Sequence, residues 1–233
     1  MSNSRIAVLG AMPSELRPLT KPLSLRKAQL GAIEVRTGHL GSNEIVALKT
    51  GIGPDQARRS TEQLMAGGPF DHVVMIGIAG GIMPTQEIGD IVVAERVIDG
   101  RTNTSYTPAP LPGLVQQGAL HTADYLILDP EMVDAMRADG VVALDMETAA
   151  VAEVCDAAGT PWSSIRSISD RSADKLVDDN LLDLTNDDGT PNMGAAVKRM
   201  VRHPGDIAKF TQLARDANVA TKAAAETFLR AYR

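Results

Sequence analysis

Two runs, Arg5–Gly10 (RIAVLG) and His72–Ile78 (HVVMIGI), are apolar at nearly every position and run into glycine. A strand that is apolar on both faces has to be covered on both faces, so each run belongs inside a sheet with helices above and below it. This requirement selects an α/β layer architecture rather than a bundle or a sandwich.

The rest of the chain fits that frame. Ala32–Gly38 and Glu44–Lys49 read as strands joined by the turn Gly41-Ser42-Asn43, and Pro54–Ala66 as a helix ended by Gly67-Gly68. Asp90–Ile98 (DIVVAERVI) reads as one strand, followed by an irregular Thr/Pro/Gly/Asn-rich stretch from Asp99 to Ala123. Val141–Asp145 and Trp162–Ser169 are further strands, with a helix over Thr148–Ala158 between them. Lys175–Asn192 is an acidic, turn-rich loop, and Gly194–Arg202 and Gly205–Arg233 are helices broken at His203-Pro204. No repeat or linker divides the 233 residues, so the expectation is a single α/β domain over 1–233. Its central sheet is mixed and twisted, with flanking helices.

Composition excludes several functions. A net charge of -6 gives no basic face for nucleic acid. The single cysteine, Cys155, sits in an apolar helical stretch and reads as a buried thiol, so no disulfide framework exists. No apolar run reaches the roughly 20 residues of a membrane span, and MSNSRIAVLGAMPSEL turns polar too early for a signal peptide, so a cytoplasmic address is expected. Gly51-Ile52-Gly53 begins like a dinucleotide fingerprint, but Pro54 intervenes and Gln56 stands where the third glycine belongs. There is no P-loop, and the four histidines are far apart, so neither a cofactor nor a metal is expected.

In open α/β sheets, ligands collect at the carboxyl ends of strands. Here those ends carry Gly10-Ala11-Met12 with Glu15, the turn Gly77-Ile78-Ala79-Gly80-Gly81, Asp145-Met146-Glu147, and Ser169-Asp170. Each acid has an ordinary alternative. Glu15 and Glu147 could be first-turn glutamates favouring a helix dipole, and Asp170 could cap a helix over Arg171–Lys175. Arg166, inside the apolar strand SSIRSIS, is harder to dismiss, because a buried guanidinium needs a carboxylate partner.

Gly10-Ala11-Met12-Pro13-Ser14-Glu15, Gly51-Ile52-Gly53, Gly77–Gly81, Ile88-Gly89-Asp90-Ile91-Val92-Val93, Asp145-Met146-Glu147-Thr148-Ala149-Ala150 and Arg166-Ser167-Ile168-Ser169-Asp170 follow one another in a known order. Together they resemble the nucleoside phosphorylase superfamily, and within it the 5'-methylthioadenosine/S-adenosylhomocysteine nucleosidases. The resemblance runs from Ile6 to about Asp174. It implies a purine nucleosidase that works on an adenine-type nucleoside as a homo-oligomer, most simply a dimer.

The resemblance also implies roles for residues. Glu15 activates the attacking water, Arg166 helps hold that water, and Asp170, with Ser169 beside it, protonates the purine at N7. Glu147 grips the ribose hydroxyls and Met146 lines the sugar. Ile52 lines the region of the 5'-substituent, and Tyr125 and Leu126 stack on the base. Met12, Ile78, Ala79, Gly80 and Asp145 complete the expected lining. Ile78 stands where the nucleosidases usually carry a serine, and the segment between Val93 and Asp124 is shorter than in typical members.

The chemistry asks for such residues. Cleaving a ribosyl–purine bond passes through an oxocarbenium-like state. A general acid at N7 is worth a factor of about 10² to 10⁴, and a carboxylate on the opposite face takes the proton of water and stabilises the cationic sugar. Two alternatives stay open at this level. One is phosphorolysis, which needs an anion site such as Arg58 and Arg59 would have to supply. The other is a non-catalytic nucleoside-binding protein. The final helix carries an apolar stripe (Phe210, Leu213, Ala217, Ala220, Ala224, Phe228) that suits either the core or a partner subunit.

Overall fold

A computed structural model describes residues 3–125, 127, 129–171 and 206–233. Leu126, the acidic loop and the helix expected over Gly194–Arg202 lie outside the described residues. The strands are β1 (Arg5–Gly10), β2 (Arg26–Leu30), β3 (Ile33–Leu40), β4 (Asn43–Lys49), β5 (His72–Gly81), β6 (Ile91–Val92), β7 (Arg96–Asp99), β8 (Ser105–Tyr106), β9 (Ala119–Thr122), β10 (Val141–Asp145) and β11 (Trp162–Arg171). The helices are α1 (Pro13–Leu16), α2 (Pro54–Ala66), α3 (Pro130–Ala138), α4 (Thr148–Ala157) and α5 (Asp206–Ala231), with a 3-10 turn at Arg17–Leu19. They flank one mixed sheet of order β2-β3-β4-β1-β5-β10-β9-β7-β8, to which β11 adds by pairing with β5 and β6.

The doubly apolar runs are central, as their patterning requires. Along β1 and β5, Ala7, Leu9, Val73 and Met75 face α2 and α4, where they meet Ala57, Leu64, Val151 and Cys155. The intervening Ile6, Val8, Val74 and Ile76 face α5 and the segment after α1, meeting Phe228, Ala224, Leu19 and Leu23. The stripe of the last helix is therefore divided. Its C-terminal part, with Ala220, Ala224 and Phe228, is buried in this chain's own core, whereas much of the surface from 211 to 219 is exposed. Cys155 is buried as expected, and burial pushes its thiol up to about 12, which leaves it inert as a nucleophile.

β5 positions the site. On one edge it pairs in parallel with β1 over His72–Met75, then antiparallel with β10 over Gly80 and Gly81, and on the other edge it runs parallel to β11. Between the end of β1 and the start of β10 the first edge is open, and the backbone groups there need other partners.

Three expectations are corrected. Asp90–Ile98 is not one strand. β6 pairs with β11, and the chain then turns away so that β7 pairs with β8 and β9. The stretch read as irregular contains β8 and the parallel strand β9, which lies between β7 and β10. β11 extends two residues past Ser169, so Asp170 lies within the strand.

A polar chain links α5 to the sheet. Ser163 Oγ donates to the Ala109 carbonyl (2.6 Å), so His72 Nε2 (2.8 Å from that oxygen) must donate to it. Nδ1 is then the acceptor for the Tyr232 hydroxyl at 2.7 Å. Burial lowers the His72 pKa from 6.5 to about 4. Below pH 6.5 the unfolded chain therefore binds a proton that the folded protein refuses, so stability falls as pH drops from 6.5 to about 4. The loss expected is about 3 kcal/mol. Denaturant melts across this window should show a shallower acid slope for His72→Gln than for the parent, and equal slopes would refute the assignment.

Candidate active site

The open edge of β5 is filled by two side chains. Glu15, carried by α1 and only 2% exposed, accepts the Ile78 N–H through Oε1 (2.9 Å) and the Met12 N–H through Oε2 (2.8 Å). Arg166 on β11 lies opposite Gly77 in register, and its Nη1 is 3.5 Å from the Ile78 carbonyl oxygen and 4.0 Å from Glu15 Oε1. Only glycine fits beneath them. A Cβ on Gly77 would lie 2.1 Å from Glu15 Oε1 and 2.7 Å from Arg166 Nη1, at a φ of +155°.

Arg166 is fully buried and faces three carboxylates. Its Nη2 lies 2.5 Å from Asp145 Oδ2 and 3.4 Å from Glu147 Oε2. Nε and Nη2 also donate to Thr148 Oγ1 at 3.2 and 2.9 Å. Burial by itself would favour loss of the guanidinium proton, but the fields of Asp145, Glu147 and Glu15 outweigh it and raise the pKa further. The carboxylates feel the opposite balance. Burial raises the pKa of Glu15 against the opposing charge of Arg166, and it raises that of Glu147 to about 7 despite the same cation.

Local folding explains why Glu147 is available. It occupies the N-cap of α4, yet its side chain makes no capping bond. The first amides of α4 are satisfied by other residues: Asp145 accepts the Thr148 N–H (3.2 Å) and Thr122 Oγ1 the Ala149 N–H (3.0 Å). Glu147 is thereby free to accept the Gly53 N–H at 2.9 Å, where the backbone stands at φ +87°. The turn Gly51-Ile52-Gly53 thus serves a carboxylate.

Asp170 and Ser169 lie further along the same pair of strands. Ile168 pairs with Ala79 and Asp170 with Gly80, so Ser169 is the extra residue of a bulge. Ser169 Oγ donates to Asp170 Oδ1 at 2.7 Å. Asp170 is half-buried, and its Oδ2 would be 3.3 Å from a Cβ on Gly80.

The sequence-expected residues thus fall into groups. Glu15, Arg166, Asp145 and Glu147 form one charged cluster, with Met12 and Ile78 contributing backbone. Asp170, Ser169, Ala79 and Gly80 adjoin it along β5 and β11. Ile52 and Met146 are half-buried beside Gly53 and Glu147, while Tyr125 is 53% exposed with its hydroxyl 4.0 Å from Met132 sulfur. Thr122 lies outside the sequence motifs, and Thr148, Gly53 and Gly77 lie inside them without a role of their own. Thr148 follows Glu147 directly in sequence, whereas the place of Gly77 opposite Arg166 becomes visible only in the sheet register. Among the described residues no group of three or more His, Cys, Asp or Glu could hold a metal ion. None of the described helices is long and apolar enough to cross a membrane.

Gly77→Ala is expected to lower stability by about 1–3 kcal/mol through overpacking, or roughly 2–12 °C in Tm. Gly80→Ala, with its nearest contact at 3.3 Å, should cost less. Thermal melts that rank the two variants the other way would mean that Glu15 and Arg166 do not cross Gly77.

The chain is similar to known proteins along most of its length. The family model of the phosphorylase superfamily matches residues 5–138 and 114–202. A 5'-methylthioadenosine/S-adenosylhomocysteine nucleosidase of Bacillus subtilis is 32% identical over 197 residues, covering 71% of this chain and 85% of that one. The same-named protein of Marinomonas sp. is 29% identical over 198 residues, covering 72% and 86%. Among solved structures, the S-adenosylhomocysteine nucleosidase of Streptococcus pyogenes in complex with 5-methylthiotubericidin superposes with a TM-score of 0.74 at 19% identity, covering 98% of this chain and 96% of that one. The futalosine hydrolase of Helicobacter pylori superposes at 0.72 and 18%, covering 98% and 97%. These structures share the fold, and the sequence matches go further: the chain belongs to the phosphorylase superfamily.

Proposed function

We propose that this protein is a nucleosidase that hydrolyses the N-glycosidic bond of an adenine-type nucleoside, such as 5'-methylthioadenosine or S-adenosylhomocysteine. The observation that carries the reading is the buried meeting of Glu15, Arg166 and Glu147 at the carboxyl ends of the strands, in a chain similar to nucleosidases by sequence. Glu15 is the general base. Its raised pKa suits a group that must accept a proton from water as the bond to the purine breaks. Arg166 holds the Glu15 side of the site in place, and Asp170, steadied by Ser169, delivers a proton to N7 so that the purine leaves neutral. Glu147 accepts hydrogen bonds from the ribose hydroxyls, with Ile52 and Met146 beside the sugar. Tyr125 belongs to the segment that covers the base, and a homodimer is the assembly the family resemblance implies.

Water rather than phosphate is the acceptor. Three carboxylates surround one guanidinium at the site, and such a field repels an anion. Of the arginines that could form an anion site, Arg58 is paired with Glu153, and Arg59 is exposed, with Nε donating to the Asp55 carbonyl at 3.2 Å.

In a base-release assay across methylthioadenosine, adenosylhomocysteine, adenosine, inosine and futalosine, the parent is expected to free base without phosphate. Glu15→Gln and Asp170→Asn should each lose about 10²-fold or more in kcat. Strict phosphate dependence would overturn the hydrolase reading. A parent that binds nucleosides but frees no base would make the protein a binding module.

Binding should also titrate. Glu147 ionises at about pH 7 in the free site, and hydroxyl donors favour its charged form. Affinity for a non-hydrolysable nucleoside analogue is therefore expected to weaken as pH falls through about 7, with proton release on binding near neutrality. Calorimetry in buffers of different ionisation enthalpy measures that release, and Glu147→Gln should abolish it.

A further inference from the structure

We propose that Thr148 is a positioning residue that fixes the Arg166 guanidinium with its Nη1 side toward Glu15. The inference deepens the reading of Glu15 as the base and rests on it.

The hydrogen-bond valences around Thr148 are all used. Its Oγ1 accepts from Arg166 Nε (3.2 Å) and Nη2 (2.9 Å), and its one proton goes to Asp145 Oδ2. Asp145 is fixed in turn by Thr122, whose hydroxyl donates to Oδ1 at 2.6 Å. Thr122 and Thr148 are both buried, at 3% and 0% exposure. One side of the guanidinium is thus tied to a hydroxyl and a carboxylate anchored on β9, β10 and α4. What remains is Nη1, which lies by the Ile78 carbonyl and Glu15 Oε1.

A carboxylate alone would not set this orientation. The charged groups around Arg166 are Glu15 from α1, Asp145 from the end of β10, and Glu147 at the start of α4. All attract the cation, and Asp145 is the nearest. Without the hydroxyl, Nε loses its acceptor, and the guanidinium is drawn toward Asp145 and Glu147, away from Glu15. Glu15 then loses part of the positive field that offsets its burial.

Thr148→Val keeps the side-chain shape and removes the hydroxyl, while Thr148→Ser keeps the hydroxyl. In nucleoside hydrolysis, Thr148→Val is expected to lower kcat by about 10-fold or more through misplacement, with a smaller effect on KM. The acid limb of its kcat/KM profile should move to higher pH, and Thr148→Ser should restore both. A carboxyl-carbon NMR titration of Glu15 in the unliganded protein reads the same displacement without turnover. If the parent frees no base but Thr148→Val still shifts the Glu15 titration upward, the nucleosidase reading fails and the positioning stands. If Thr148→Val folds and neither the limb nor the titration moves, the positioning is wrong. Should Thr148→Val not fold, Thr122→Val loosens Asp145 from the other side. It is expected to shift Glu15 in the same direction, and no shift would overturn the proposal.

Discussion

A single guanidinium, fully buried and facing three carboxylates, governs this structure. An unpaired charge in such a place is untenable, and leaving its partners without it costs about 3–5 kcal/mol. The surroundings therefore have to accommodate Arg166. β5 gives up a side chain at Gly77 so that Arg166 and Glu15 can cross it. β1 stops before β10 begins, which opens an edge where Ile78 offers its N–H to Glu15 and its carbonyl oxygen to Arg166. The break in the sheet and the charge cluster complete each other. Backbone groups that would otherwise be orphaned become partners for Glu15 and Arg166.

The same economy holds at the start of α4. A helix N-terminus leaves its first amides without partners inside the helix, and its dipole attracts a nearby carboxylate. Here Asp145 and Thr122 take the first amides, so the Glu147 carboxylate points to Gly53 and Arg166 instead. Its pKa of about 7 follows from burial in a dry site, which outweighs the charge of Arg166, with Asp145 adding to the rise and the Gly53 N–H opposing it.

Much of this could be read from the residues. β1 and β5 are marked by continuous apolarity, whereas β11 has only Trp162, Ile165 and Ile168 as large apolar residues, and Arg166 stands out there because a buried charge needs partners. Glu15 shows how a bland and a functional reading can both hold: one oxygen accepts the Met12 amide in its own helical turn, the other reaches 63 residues along the chain to Ile78. β2 is hard to see in the sequence because its alternation is only two residues long: Ala28 and Leu30 are half-buried between exposed Lys27 and Gln29, and the strand is held by pairing with β3. The break within Asp90–Ile98 was hidden because a strand that changes partner stays apolar on either side of the change. Thr122 lies 23 residues from Asp145, in a stretch whose composition suggested only loop, so nothing local connected the two. The roles of Thr122, Thr148 and Gly77 arise only when β9, β10, β5 and β11 are side by side.

The sign of the charge in the cluster carries the last step. Were the site built to hold phosphate, the buried arginine would present its nitrogens to the ligand and its carboxylates would be few. Instead Nε and Nη2 are committed to Thr148 and Asp145, and the Nη1 side meets Glu15. An incoming phosphate would meet a guanidinium already shared among three carboxylates, and would have to approach those carboxylates in a medium that screens poorly. In the proposed reaction a water molecule meets no such barrier, and a developing oxocarbenium ion is stabilised by the carboxylates. Under that proposal, one electrostatic arrangement both selects the nucleophile and lowers the barrier to its attack.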